Sequence, residues 1–118
     1  MKIFIGCDIE QIGRFDRKNE DQAFLDLVFS KKEQEYCLSN QNYAQHLTAR
    51  FCGKEAVIKA FGSAGIEDLT YSDIEILKSD RGAPDVVLLK ELECPAVVKV
   101  SLSHSGDYAM ANAIVILN

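Results

Sequence analysis

The sequence predicts an α+β protein in which one long helix packs on an antiparallel sheet. Three observations lead to this fold class. Residues 2–10 alternate in the manner of a strand, residues 42–61 have the pattern of a long helix, and two runs rich in β-branched residues near the C-terminus are separated only by SHSGD. A short connection of this kind is typical of a hairpin. With 118 residues, 47% of them hydrophobic, the chain is expected to form one domain over residues 1–118.

The first strand, KIFIGCDIE, has two faces of different chemistry. Side chains in a strand alternate between faces, so one face is mainly branched and apolar: Ile3, Ile5, Cys7 and Ile9. The opposite face holds Asp8 and Glu10 together with Phe4. The isoleucine face is therefore predicted to be the core face, with both carboxylates opposite it.

Short helical elements are predicted between this strand and the long helix. QIGRFDRK reads as a turn or short helix, and a brief amphipathic helix follows around residues 24–29. Ser30 and Glu33 match a capping box that opens a third helix through about Leu38. The basic residues of the first of these segments are predicted to be exposed: Arg14, Arg17 and Lys18.

The long helix is predicted to end at a glycine, and further strands should follow it. Its apolar stripe includes Tyr43, Leu47, Phe51 and Ile58, and Gly62 is the expected stop. Residues 73–78 alternate as a strand, SDRGAP forms a turn, and PDVVLL forms the next strand. LKELE is expected to be a helical turn before the C-terminal hairpin.

Composition excludes several classes of function. The 18 acidic and 13 basic residues give a formal net charge of -5, which argues against a general electrostatic affinity for nucleic acid. No segment approaches the length of a membrane span, so no membrane partner is expected. The cysteines lack CxxC spacing and are expected to be free thiols of a cytoplasmic protein: Cys7, Cys37, Cys52 and Cys94.

Asp8 and Glu55 are the candidate metal ligands. Magnesium commonly takes one or two protein carboxylates and completes its shell with water and phosphate oxygens, so two acids from packed elements would suit it. Lys59 lies four residues after Glu55 and shares its helical face. By spacing alone, the two could equally form an ordinary exposed ion pair.

Ser103 and His104 stand where a strand enters a turn and could face an anion, whereas His46 is expected to be an ordinary polar residue.

Three segments in this order resemble the 4′-phosphopantetheinyl transferase superfamily: GCDIEQIGRF, RFCGKEAVIKAFG and SLSHSGDYAMA. The resemblance spans nearly the whole chain and is closest to the short, holo-acyl-carrier-protein synthase type. It implies transfer of phosphopantetheine from coenzyme A to a serine of an apo acyl carrier protein, with release of adenosine 3′,5′-bisphosphate.

The resemblance also implies roles for individual residues. Asp8 and Glu55 would hold Mg2+ against the coenzyme A pyrophosphate, with Glu10 as a direct or water-mediated third acid. Lys59 would contact phosphate and assist at the reacting centre. The remaining coenzyme A contacts would be Arg50, Ser103 and His104, the last of these at the 3′-phosphate. The base that accepts the serine proton is left open between Glu55 and a metal-bound water.

The same resemblance implies an oligomeric state and a protein partner. The short members are homotrimers with sites at subunit interfaces, so His104 would reach the Asp8 and Glu55 of a neighbouring copy. An acidic carrier protein would meet Arg14, with Arg17 or Lys18 assisting. The alternatives are a degenerate protein that only binds carrier or coenzyme A, a magnesium-dependent nucleotide phosphohydrolase, and a trimeric scaffold without a ligand.

Overall fold

A computed structural model describes all residues, 1–118, as five strands and three α-helices with short 3-10 turns between them. In chain order the elements are β1 (Lys2–Gln11), α1 (Gln22–Val28), α2 (Lys31–Leu38), α3 (Tyr43–Ser63), β2 (Ile74–Lys78), β3 (Pro84–Leu88), β4 (Ala96–Ser105) and β5 (Tyr108–Leu117). The 3-10 turns are Ile12–Phe15, Lys18–Glu20 and Tyr71–Asp73. None of the helices is both long and apolar enough to span a bilayer.

The long helix α3 packs on a three-stranded antiparallel sheet of order β1-β5-β4, and β2 pairs separately with β3. The α+β prediction is therefore confirmed. The hairpin between β4 and β5 closes through Gly106 and Asp107, and the φ of 58° at Gly106 matches the first loop position of a type II′ turn. The predicted capping box of α2 is also present, with Ser30 Oγ accepting from Glu33 N at 3.2 Å and Glu33 Oε1 accepting from Ser30 N at 2.8 Å.

The prediction that the isoleucine face of β1 is the core face is wrong for this chain. Ile3, Ile5 and Ile9 are 58%, 72% and 60% exposed, and the opposite face of β1 packs under α3. Gly6 explains the choice, because a Cβ at that position would lie 2.1 Å from the backbone oxygen of Ala56. The helix can approach β1 only over the face that contains this glycine. Asp8, on the same face, is thereby brought beneath the helix.

Helix α3 runs one residue beyond the expected stop at Gly62 and ends in a Schellman motif. Gly65 adopts a φ of 85°, its N–H donates to Gly62 O at 3.0 Å, and Ile66 N donates to Phe61 O at 3.0 Å. Only a residue that tolerates positive φ satisfies these terminal carbonyls, so Gly65 ends the helix.

Residues 89–95 contain no helical turn, contrary to the prediction for LKELE. The segment is irregular and is tied to the loop after α3 by an ion pair of 2.8 Å between Lys90 Nζ and Asp68 Oδ2. Leu92 packs against the main core, and Pro95 lies just before β4. Five residues offer too few internal hydrogen bonds to sustain a helix against these tertiary contacts.

A buried ion pair joins α2 to α3. Lys54 Nζ lies 2.7 Å from Glu33 Oε1, and both side chains are fully buried. The ammonium also donates to Val28 O at 2.6 Å and Tyr71 O at 3.1 Å, while Glu33 Oε2 accepts from Ile76 N at 2.7 Å. The pair therefore ties together α1, α2, α3, β2 and the turn that contains Tyr71.

Candidate active site

Asp8 and Lys59 meet where β1 passes under the second half of α3. Lys59 Nζ lies 3.1 Å from Asp8 Oδ1 and also donates to Cys7 O at 3.1 Å. The hydrogen bond to Asp8 raises the pKa of Lys59, with the Asp8 and Glu55 charges adding to it, so the lysine remains a cation at neutral pH. The second carboxylate oxygen of Asp8, Oδ2, is buried and has no hydrogen-bond partner.

Glu55, one helical turn before Lys59, accepts a hydrogen bond from the Tyr71 hydroxyl. Burial, followed by the hydrogen bond to Glu55, raises the pKa of Tyr71 to about 12, with smaller contributions from the charges of Asp8 and Glu10. The phenol therefore stays a donor near neutral pH. Tyr71 is not among the residues predicted from the sequence, because it lies in a loop whose composition and spacing have no distinguishing pattern.

The side chains around Asp8 fit a magnesium ion that takes some of its ligands from a substrate. A buried carboxylate oxygen without a partner is costly unless a cation or donor meets it, and Asp8 Oδ2 is such an atom. No group of three or more His, Cys, Asp or Glu side chains is gathered to hold a metal. Magnesium does not need one, since water and phosphate oxygens complete its shell. Glu10 is engaged by Arg14 at 2.8 Å and would have to release it to act as a ligand.

A cleft of about 320 Å³ between α2, α3, β2 and β4 contains the second set of predicted residues, Arg50, Ser103 and His104. Arg50 is only 4% exposed, its guanidinium lies 4.4 Å from the centroid of the Tyr36 ring, and its Nε has no hydrogen-bond partner. No Asp or Glu lines the cleft, although the chain has 18 acids. A buried guanidinium without a carboxylate partner indicates a site for an anion.

The two sets of residues lie on different flanks of α3. Side chains advance by about 100° per residue around a helix, so Arg50 and Glu55 are about 140° apart. The structure thus brings Asp8 together with Lys59, and Arg50 together with His104, but keeps these two pairs apart within one chain. Ser103 borders the cleft, but its side chain lies on the face of β4 that is turned away from α3. The neighbouring Leu102 lies on the opposite face and packs towards α3.

The three predicted carrier-binding residues lie in the turns that follow β1. Arg14 pairs with Glu10 at 2.8 Å, Arg17 pairs with Glu20 at 3.0 Å, and Lys18 lies 4.8 Å from the centroid of the Phe24 ring. Both ion pairs involve largely exposed arginines. Exposed pairs are worth less than about 1 kcal/mol, so acids of a partner could replace the internal ones.

Comparison with known proteins identifies the family. A family model described as "4'-phosphopantetheinyl transferase superfamily" matches residues 4–113 of this chain. The holo-[acyl-carrier-protein] synthase of Chlamydia caviae is 43% identical, covering 96% of this chain and 96% of the relative. That of Caldanaerobacter subterraneus subsp. tengcongensis is 37% identical, covering 98% and 96%.

A solved structure agrees with these sequence relatives. The crystal structure of Helicobacter pylori holo-[acyl-carrier-protein] synthase in complex with coenzyme A matches with a TM-score of 0.77 and 28% identity, covering 97% of this chain and 99% of that one. The prediction from the three motifs is confirmed: the chain belongs to the 4′-phosphopantetheinyl transferase superfamily.

Proposed function

We propose that this chain is a holo-acyl-carrier-protein synthase, which transfers 4′-phosphopantetheine from coenzyme A to a serine of an apo acyl carrier protein and releases adenosine 3′,5′-bisphosphate. Its relatives at 37% and 43% identity have this name. The observation that carries the proposal is the pair of charged sites: carboxylates with a lysine on one flank of α3, and an acid-free basic cleft on the other. Coenzyme A has a pyrophosphate and a separate 3′-phosphate, so it offers an anionic group to each.

Asp8 and Glu55 are the residues that would hold Mg2+ at the pyrophosphate. The unpartnered Asp8 Oδ2 and the position of Glu55 near Asp8 and Lys59 support this assignment. When bound, the ion offsets the negative charge on the pyrophosphate during transfer. Glu10 would assist through water, or directly after releasing Arg14.

The side chains of this protein position the reactants and handle one proton. Lys59, kept cationic beside Asp8, contacts the transferred phosphate and stabilises the charge that develops on it. As the serine Oγ bonds to the β-phosphorus, the bond from that phosphorus to the bridging oxygen breaks, and adenosine 3′,5′-bisphosphate leaves. The serine proton passes to Glu55, whose carboxylate is oriented by the Tyr71 hydroxyl.

A homotrimer with shared sites is part of the proposal. The outer face of the three-stranded sheet exposes large apolar side chains: Ile3, Ile5, Ile9, Val97, Tyr108 and Ile114. Extended apolar patches on a protein surface commonly mark an interface. Because Arg50 and Glu55 lie on different flanks of α3, one coenzyme A could reach His104 of one copy and the carboxylates of the next. Each copy would then contribute half of each site.

The carrier protein would dock at Arg14, Arg17 and Lys18, close to Asp8. These cations stand out on an acidic chain, and an acidic carrier would compete for them with Glu10 and Glu20. Such complementarity mainly speeds and orients the encounter, and it weakens as salt rises.

We place the reaction in the cytoplasm, where the four free cysteines would stay reduced.

The experiment is intact-protein mass spectrometry of an apo acyl carrier protein incubated with this chain, coenzyme A and Mg2+. We expect the carrier to gain one phosphopantetheinyl group, and a chelator to abolish the gain. Asp8→Asn and Glu55→Gln should each lower turnover by about 100-fold or more while the circular dichroism spectrum is unchanged. The matched control is Glu91→Gln, an exposed loop acid whose loss should leave turnover intact.

Other outcomes would identify a different function. Coenzyme A binding without any carrier modification would support a degenerate binding protein. Cleavage of coenzyme A in the absence of a carrier would support a phosphohydrolase. Full turnover in both Asp8→Asn and Glu55→Gln would contradict the assignment of the carboxylates.

A further inference from the structure

We propose that His46 completes the phosphate site in the Arg50 cleft and takes up a proton when a phosphomonoester binds there. The inference rests on the proposed function, in which coenzyme A presents its 3′-phosphate to this cleft. It goes further by assigning a binding residue and by making the affinity of the site depend on pH.

His46 and Arg50 are held together on one aromatic ring. They are spaced i, i+4 on α3 and both line the cleft. The His46 ring meets the Tyr36 ring edge to face, with 5.3 Å between centroids, while the Arg50 guanidinium lies 4.4 Å from the same centroid. This packing orients both side chains before any ligand arrives, which reduces the entropy lost on binding.

The residues that line the cleft with His46 are basic or neutral. Arg50 and Gln45 come from α3, Tyr36 from α2, Lys78 from β2 and His104 from β4. Burial lowers the pKa of His46 first, and the charges of Arg50, His104 and Lys78 lower it further. In the free protein the imidazole is therefore neutral near pH 7, and the positive charge around it contributes to this.

A phosphomonoester reverses this electrostatic balance. Its dianion brings two negative charges into a cleft whose buried arginine has an unpartnered Nε. An opposite charge a few ångströms away favours the protonated imidazole, so His46 would bind the phosphate as a charged donor. A pyrophosphate diester has only one negative charge on each phosphorus and would drive this protonation less.

The sign of the pH dependence follows directly. Burial and the surrounding cations lower the pKa of His46 in the free protein, and a bound phosphate raises it. Between the two values, binding takes up a proton, so the affinity for the ligand falls as pH rises. Linkage sets the limit at about one proton per site, so that Kd rises by at most about tenfold per pH unit.

The test is isothermal titration calorimetry of the full chain with coenzyme A and with dephospho-coenzyme A, which lacks the 3′-phosphate. Titrations in two buffers of different ionisation enthalpy give the protons taken up. We expect net uptake with coenzyme A at pH 7–8 and less with dephospho-coenzyme A. From pH 7 to 8 the Kd for coenzyme A should rise up to about tenfold in the wild type, but less than about threefold in His46→Gln.

A second variant separates the two histidines of the cleft. His104→Gln should weaken coenzyme A binding yet retain the proton uptake that depends on His46. His46→Asn duplicates the His46→Gln measurement should that variant fold poorly. Equal proton uptake in the wild type and the His46 variants, or equal uptake with both ligands, would overturn the inference while leaving the proposed function intact. Failure of coenzyme A to bind at any pH would overturn both.

Discussion

The buried pair of Lys54 and Glu33 should be a main determinant of stability. Both side chains are fully buried, and the pair joins every element around the turn that holds Tyr71. Lys54→Met would leave the Glu33 carboxylate buried, with only the N–H groups of Ser30 and Ile76 as donors. Glu33→Gln would leave a buried ammonium with neutral acceptors alone.

The size of the effect can be worked from this geometry. Breaking a fully buried ion pair by removing one partner costs about 3–5 kcal/mol. An unfolding entropy of about 2.1 cal/mol/K per residue gives about 0.25 kcal/mol/K for the 118-residue chain. Each single variant should therefore lower Tm by about 12–20 °C. The double variant removes both charges and should be less destabilised than the sum of the singles by at least about 1 kcal/mol.

The assay is thermal unfolding followed by circular dichroism at one fixed protein concentration. The control pair is Lys90 and Asp68, whose side chains are 34% and 72% exposed at a similar separation of 2.8 Å. Lys90→Met should cost less than about 1 kcal/mol, or about 4 °C. If Lys54→Met and Glu33→Gln shift Tm no more than Lys90→Met does, burial does not increase the contribution of this ion pair to stability, and the reasoning is wrong.

Three further predictions concern close packing, the exposed sheet face and the buried thiols. Gly6→Ala should prevent native folding or cost several kcal/mol, because its Cβ would lie 2.1 Å from a backbone oxygen of α3. Gly53→Ala should be milder, because its closest contact is the end of the Ile76 side chain rather than backbone. Urea unfolding compares the two variants, and equal losses of stability would contradict this reasoning. In maleimide labelling followed by mass spectrometry, Cys7 on the outer face should react more slowly as protein concentration rises, and concentration-independent labelling would argue against assembly through that face. Cys37 and Cys52, whose thiol pKa values burial raises to about 12, should stay unlabelled until the chain unfolds.

The features that could be predicted from the sequence are those with a local signal. The alternation of β1, the capping box at Ser30 and the length of α3 depend on neighbours within a few residues, so they could be predicted. The spacing of Glu55 and Lys59 also placed them on one helical face. The three motifs identified the family because each combines particular residue types at particular spacings along nearly the whole chain.

Sequence by itself thus predicted most of the elements, the family and most residues of the proposed chemistry, whereas the tertiary structure decided which surfaces meet. Alternation in β1 defines two faces but does not say which is buried, and close packing at Gly6 made that choice. Tyr71 reaches Glu55, and His46 reaches the Arg50 cleft, through contacts between elements distant in the chain. Such contacts depend on how whole elements pack, and no periodicity within a single segment encodes them.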